Sequence, residues 1–122
     1  MTAFTTQTLV ANVVYGVPSG NYPGNSQTWF SNSVPAASYY AGQGSIQTVT
    51  YQLNNFVGLI KIEATLNDQQ ASAPWFEIAN IGNISNATSG TSSTTVIGNF
   101  SWLRAEIIDY TAGNIQSITA AY

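Results

Sequence analysis

The fold is decided by residues 48–66, Thr48-Val-Thr-Tyr-Gln-Leu-Asn-Asn-Phe-Val-Gly-Leu-Ile-Lys-Ile-Glu-Ala-Thr-Leu66. Apolar and polar side chains alternate over Val49–Leu53 and again over Ile60–Leu66. A period of two is typical of a β-strand with one buried and one solvated face. Asn54-Asn55 lies between the runs, and asparagine tolerates the left-handed backbone angles of a tight turn. We therefore expect two neighbouring antiparallel strands, around which the other strands assemble.

Other segments rich in β-branched and aromatic residues are also predicted to be strands. They are Thr8–Val17, which ends at Pro18, a short piece around Gln27–Phe30 in the irregular connection Pro18–Pro35, then Trp75–Ile78, Phe100–Tyr110 and Ile115–Tyr122. Alternation in the fourth of these places Leu103, Ala105 and Ile107 on one face. The turn residues of Thr111–Asn114 separate the last two predicted strands.

A low-complexity segment dominated by Ser, Thr, Asn and Gly runs from Asn80 to Thr95. Apart from Ile81 and Ile84 it has little apolar surface to bury, so we expect a flexible surface excursion. Sustained helical periodicity is absent from the sequence. Residues 1–122 are therefore predicted to form one all-β domain, a β-sandwich of about seven or eight antiparallel strands in jelly-roll or Greek-key order.

The composition excludes several classes of function. The chain has no cysteine and no histidine, so it lacks thiolate and imidazole metal ligands, a thiol nucleophile and the commonest general base. Its two basic residues, Lys61 and Arg104, cannot make the several phosphate contacts that nucleic-acid binding requires. No apolar run approaches the roughly 20 residues of a membrane-spanning helix, and the first residues do not have the pattern of a signal peptide.

The carboxylates do not form a recognisable catalytic pair. Glu63 shares its predicted strand face with Lys61, and Glu106 shares one with Arg104, which is the spacing of same-face surface ion pairs. Asp68 is a weak candidate for a calcium ligand. We therefore predict that the protein is not an enzyme and has no catalytic residue, metal site or cofactor.

Aromatic side chains are the remaining candidate functional groups. Exposed rings stack on sugars and also form the centres of protein interfaces. Tyr22, Trp29 and Phe30 lie in the long connection, and we predict that they contact a partner. For Trp29 and Phe30 the alternative, which the composition of the segment favours, is that they cover one end of the core. Four other aromatic residues are assigned to the core: Trp75, Phe76, Phe100 and Trp102.

Three parts of the chain carry a resemblance to a known group of proteins: Tyr39-Tyr-Ala-Gly42 with Val49–Leu66, then Ala73–Ile78, and finally Gly98–Ile118 with the C-terminus. They resemble small β-rich structural proteins from the virions of tailed bacteriophages, most of all phages of marine cyanobacteria. The similarity covers residues 39–122, whereas residues 1–38 have no counterpart. Pro74 stands where this group usually has aspartate, so the resemblance supplies no acidic functional residue there. It implies that the protein is a virion component.

The surface composition favours a structural role as well. Charged residues make up 6% of the chain, against roughly 25% in an ordinary soluble domain. An uncharged surface suits packing against copies of the same protein or against a larger body, because burying unpaired charges is costly. We expect a capsid decoration or cement protein on the phage head surface, made in the host cytoplasm.

The expected partners are other virion proteins, above all the major capsid protein, and copies of the chain itself. Nucleic acid and membrane are not expected partners. The alternative function is that of a carbohydrate- or receptor-binding module of a tail fibre or baseplate, which would bind a host glycan through an exposed aromatic ring.

Overall fold

The computed structural model of the protein describes residues 6–37, 46–66 and 74–122. These residues form an all-β structure without helix, as predicted, and every pair of strands is antiparallel. The strands of the described residues are β1 (Thr6–Val14), β2 (Trp29–Phe30), β3 (Val34–Pro35), β4 (Ile46–Thr65), β5 (Phe76–Ile97) and β6 (Trp102–Ala121). The predicted first strand and the short piece before Phe30 correspond to β1 and β2.

β4 is the central strand, and it contains almost all of the fold-deciding sequence. The turn predicted at Asn54-Asn55 is wrong, because β4 continues through these residues as one strand of 20 residues. The asparagines instead form a β-bulge, where the register with β5 shifts between Leu53 and Phe56. Asn55 has a φ of 53° and so uses the same left-handed tolerance that a turn requires. Because two exposed residues follow each other, Leu53 and Phe56 both lie on the buried face.

The prediction that Asn80–Thr95 is a flexible surface excursion is wrong, because these residues lie in β5. The segment belongs to a strand of 22 residues that pairs with β4 between Phe76 and Ile97, except over Ile84–Ala87, where the register shifts and no β4 partner is present. Apolar burial is not what orders it, since most of its side chains are exposed. Over the paired residues, backbone hydrogen bonds to β4 provide the order instead.

β6 joins two strands that the sequence pattern separates. The turn predicted at Thr111–Asn114 is wrong, because these residues lie inside β6. Positive φ angles at Asp109 (54°) and Gly113 (85°) mark a second irregularity, at the level where the register with β4 shifts. The described residues therefore form six strands rather than seven or eight, since β4 and β6 each contain two of the predicted segments.

All six strands belong to one sheet, with the order β1-β6-β4-β5 along its main path. β6 pairs with β4 on one side. On its other side, β6 pairs with β2 and β3 over its first half and with β1 over its second half. Among the described strands, β5 and β1 are the ends of this path.

The sheet bends so that its two halves face each other. A straight strand of 20 residues such as β6 spans about 65 Å, yet both ends of β6 meet at Pro35. Pro35 pairs with Trp102 at the start of β6, and its carbonyl oxygen accepts a hydrogen bond of 3.0 Å from the hydroxyl of Tyr122, which follows the end of β6. The two layers of a sandwich thus arise by bending one sheet over its own buried face.

Glycines permit the close approach of the long strands at this bend. Gly113 of β6 has a φ of 85°, and a Cβ atom there would overlap the carbonyl group of Asn55 in β4. Gly82 of β5 has a φ of 108°, and a Cβ atom there would overlap the carbonyl oxygen of Gly58. A side chain at either position is therefore incompatible with the observed spacing of the strands.

The core lies between the two halves of the sheet. The predicted burial of Leu103, Ala105 and Ile107 is confirmed, and all three are fully buried. Gln47 is buried among apolar side chains, but its polar atoms are paired. Its Nε2 donates a hydrogen bond to the Val96 carbonyl oxygen (2.8 Å), and its Oε1 accepts one from the backbone N–H of residue 37 (3.3 Å).

Candidate interaction surface

Most of the charged residues in the described part of the chain lie on one part of the outer face of the sheet. The register aligns Glu77 of β5, Glu63 of β4 and Arg104 of β6 in one row. The next row aligns Lys61 of β4 with Glu106 of β6. Both basic residues of the chain and three of its five acidic residues therefore lie close together, while most of the remaining surface is uncharged.

Arg104 is the centre of this charged region. Its guanidinium carbon lies 4.4 Å from the ring centroid of Phe30 in β2 and also 4.4 Å from that of Trp75, which precedes β5. Its Nε donates a hydrogen bond of 2.7 Å to Oε1 of Glu63. We call these four residues the Arg104 cluster. Three separate parts of the chain, joined through the antiparallel register, thus hold one arginine between two aromatic rings.

The Arg104 cluster combines two favourable interactions. A cation stacked on an aromatic ring contributes about 0.5–1 kcal/mol at an exposed site and about 2 kcal/mol where water is excluded. The carboxylate of Glu63 is 16% exposed, so its short hydrogen bond with Arg104 is screened by water less than an ordinary surface pair. The hydrogen bond uses Nε, and the Nη groups have no partner among the described residues. The cluster therefore retains guanidinium donors for an external group.

A second ion pair borders the cluster and is weaker. Lys61 Nζ lies 3.6 Å from Glu77 Oε1, and the two side chains are 37% and 39% exposed. A pair of this exposure contributes little to stability. The prediction that Lys61 and Glu63 share one strand face, and Arg104 and Glu106 another, is confirmed. The ion pairs, however, join neighbouring strands, from β6 to β4 and from β4 to β5, rather than residues of one strand.

Two of the predicted contact residues are buried. Tyr22 is 1% exposed and Trp29 is 7% exposed, so the structure does not present these two candidate contact residues at the surface. Trp29 pairs with Ile107, which faces the core, and its ring packs against that of Tyr22 with centroids 5.4 Å apart. The connection before β2 therefore folds inward and closes the end of the core, as the alternative interpretation of Trp29 proposed.

Phe30 is the predicted contact residue that remains at the surface. It is 42% exposed, because the alternation of β2 turns it away from the core when Trp29 turns inward. Of the four aromatics assigned to the core, Phe100 is buried, Trp75 and Trp102 are half-buried, and Phe76 is exposed. The pattern of residues 75–77 could have indicated the partial exposure of Trp75, because Trp75 stands two positions before Glu77 and so shares its face.

Buried tyrosines surround the bend of the sheet. The ring of Tyr110 packs against those of Tyr15, Tyr22 and Phe56, with centroids 5.2–5.4 Å apart. Burial raises the pKa of Tyr110, and the neighbouring tyrosines raise it further. Burial also raises the pKa of Tyr51 to about 12. Both phenols are therefore protonated at neutral pH and belong to the core.

A pocket of about 230 Å³ lies between β1 and the segment 19–32. Leu9, Val10 and Trp29 provide apolar walls, and the lining contains no charged residue. Asn21 and Asn32 also line the pocket, and the Nδ2 of the first donates a hydrogen bond of 2.9 Å to the Oδ1 of the second. The pocket therefore has the size of a small molecule, and its lining offers amide groups rather than charges.

The other predicted features are not part of this surface. Asp68, Tyr39 and Tyr40 lie outside the described residues. Within the described ranges, no three acidic side chains come close enough together to hold a metal ion. The same ranges contain no helix of the length and apolarity needed to cross a bilayer. Comparison of the chain with models of known protein families found no match, and comparison with curated protein sequences found none either.

Proposed function

We propose that the protein is a structural, non-enzymatic component of a phage virion that binds another virion protein through the Arg104 cluster. Within the virion we favour the capsid surface, where the chain would act as a decoration protein on the major capsid protein. The resemblance of residues 39–122 to phage structural proteins supports the virion assignment. The Arg104 cluster is the observation that supports a binding role.

The chemistry of the cluster suits a protein partner. Arginine, tryptophan and other aromatic side chains are enriched at protein interfaces, and arginine and tryptophan are common among the residues that dominate the binding energy. Here Phe30, Trp75 and Arg104 are held in fixed positions by stacking and by the hydrogen bond to Glu63. A preorganised surface loses little side-chain entropy on binding. Docking many copies on one particle would strengthen a weak individual contact.

The first test is to locate the protein on intact particles with gold-labelled antibody and cryo-electron microscopy. Label spread densely over the head supports decoration of the capsid. Label restricted to the tail tip or fibres contradicts decoration and favours the adhesion function described below. If purified particles carry no label and contain no peptides of the chain, the virion assignment is wrong.

A second test addresses the binding surface. Phe30→Ser removes an exposed ring of the cluster. Ile84→Ser removes an apolar side chain of similar exposure, 54%, from β5, which is the strand at the other end of the sheet order from β1. We expect the first variant to bind particles that lack the protein at least tenfold more weakly, in line with loss of an interface anchor. The second variant should bind like the wild type. Equal binding by both variants would contradict the assignment of the cluster.

The neutral pocket favours a second candidate function, carbohydrate binding by a tail component. Amide side chains such as Asn21 and Asn32 supply both donors and acceptors for sugar hydroxyls, and Trp29 supplies an apolar wall. The test is a glycan array with the wild type and with Asn21→Ala. Glycan binding that is lost in the variant would support this function. Because Trp29 is buried, its replacement would disturb the core and is not a suitable test.

A further inference from the structure

The outer edge of β5 is a free strand edge over residues 91–97. β5 pairs with β4 on its inner side, and no described strand pairs with its outer side. Over these seven residues the pairing with β4 runs from Gln52↔Thr91 to Ile46↔Ile97 without a register shift. The backbone is therefore regular, and alternate N–H and C=O groups on the outer side have no strand partner among the described residues.

This edge lacks the features with which proteins ordinarily prevent strand addition. Such features are charged side chains, proline and bulges. β1 has a register shift after Thr8 and a positive φ at Asn12, β3 contains Pro35, and the first half of β5 contains Glu77 and Gly82. Residues 91–97 have none of these and consist of Thr, Ser, Val and Ile. Within the described sheet, this segment is the edge best suited to accept another strand.

We propose that residues 91–97 pair antiparallel with the same residues of a second copy of the chain, so that two sheets join into one. Full overlap of the segment with itself places Thr94 opposite the Thr94 of the second copy. Antiparallel partners direct their backbone groups at each other in pairs, so two identical edges are complementary. This inference concerns self-association and does not depend on the virion assignment.

Charge and apolar surface both favour a second copy as the occupant. Like charges on opposed strands are destabilising, and pairing two identical strands would juxtapose any charge with itself. The only charged residue of β5 is Glu77, which lies near the opposite end of the strand. Ile97 and its partner Ile46 are 75% and 57% exposed at the end of this edge, and a second strand would cover part of that apolar surface.

The absence of cysteine from the chain allows a direct test by crosslinking. Thr94→Cys should form a disulfide-linked dimer on mild oxidation, because opposed Cα atoms of antiparallel strands lie about 4.5–5.5 Å apart, within the range of a disulfide. Asn25→Cys, an exposed site in the connection before β2, is the matched control. We expect crosslinking at position 94 to be at least tenfold faster. Equal rates at both positions would overturn the proposal.

A second test measures self-association without crosslinking. Strand-edge dimers bury little surface, so sedimentation should span about 10 μM to about 1 mM protein. Thr91→Lys/Ser93→Lys adds two charges to the edge, and Asn25→Lys/Thr28→Lys adds the same charge elsewhere. We expect the dimer Kd of Thr91→Lys/Ser93→Lys to rise at least tenfold, with an unchanged circular dichroism spectrum. The Kd of Asn25→Lys/Thr28→Lys should stay the same as that of the wild type. A wild-type protein that stays monomeric throughout, or a dimer insensitive to the edge lysines, contradicts the inference.

Discussion

Gly113 controls how closely β6 approaches β4 at the bend. We expect Gly113→Ala to destabilise the protein by about 2–4 kcal/mol, because the new Cβ atom would overlap the Asn55 carbonyl group and the residue would also have a φ of 85°. Gly20→Ala is the matched control, since Gly20 has a φ of 56° but open space around its Cβ position. It should cost only about 1 kcal/mol.

The comparison of these two variants separates crowding from backbone strain. Urea unfolding followed by circular dichroism gives both free energies, provided that the m-values agree. If the two alanine variants lose the same stability, the close approach of β6 to β4 at the bend is not a requirement of the fold.

Single residues also show where prediction from the sequence succeeded and failed. Alternation gave the inward positions correctly as far as Ala64 in β4 and over Leu103–Ile107 in β6, because a half-buried strand has a strict period of two. It was wrong at the end of β4, where Thr65 is fully buried and Leu66 is 64% exposed. Sequence patterns did not predict the burial of Tyr22, which lies in the irregular connection before β2. Its burial depends on the bend of the sheet, which brings the connection before β2 over the core. Arg104 could have been singled out as the chain's only arginine, but its contact with Phe30 depends on strand register, which no local pattern contains.

At the scale of the element, Asn54-Asn55 illustrates an ambiguity that the sequence alone does not resolve. A two-residue hairpin turn and a β-bulge can both use a residue with a positive φ, and both separate two alternating runs. The runs either pair with each other or continue in one strand. β5 determines which of the two forms. Residues 76–97 pair with both runs of β4, so the two runs do not need to pair with each other. The Ser/Thr-rich composition of β5 concealed that partner.

Deletion of Asn55 tests the function of the bulge. The register of β4 with β5 shifts at this point. After removal of one residue, β4 can keep its pairing with β5 on one side of the bulge but not on both sides at once. We expect a loss of at least about 3 kcal/mol, the size of effect that follows disruption of a buried network. Thermal unfolding followed by circular dichroism should show a lower and broader transition.

The matched control for this deletion is removal of Asn25, an exposed residue of the connection before β2. Irregular surface connections tolerate changes of length. If deletion of Asn55 is tolerated as well as deletion of Asn25, then Asn54-Asn55 does not position the two halves of β4.

For the whole molecule, the central question is what keeps the bent sheet closed. The all-β class was predictable, because alternation and β-branched residues extend over most of the chain. The closure was not, since it depends on hydrogen bonds between residues far apart in sequence. Tyr122 reaches Pro35, and Gln47 connects the segment after β3 with the end of β5. Such contacts follow from the path of the sheet rather than from any local pattern.

Gln47 gives a specific prediction about this closure. Methionine has a similar shape but cannot replace the hydrogen bonds that Gln47 makes with residue 37 and Val96. Each buried polar group left without a partner costs about 1–3 kcal/mol, so we expect Gln47→Met to destabilise the protein by about 2–4 kcal/mol. Gln52→Met is the control, because Gln52 is exposed on the same strand and its replacement should change stability by less than about 0.5 kcal/mol. Hydrogen exchange supplies the decisive measurement: protection of the residue 37 amide should fall in the first variant more than protection of the central β4 amides. A uniform loss of protection across the sheet would show instead that Gln47 contributes only to general core packing and does not close the two halves.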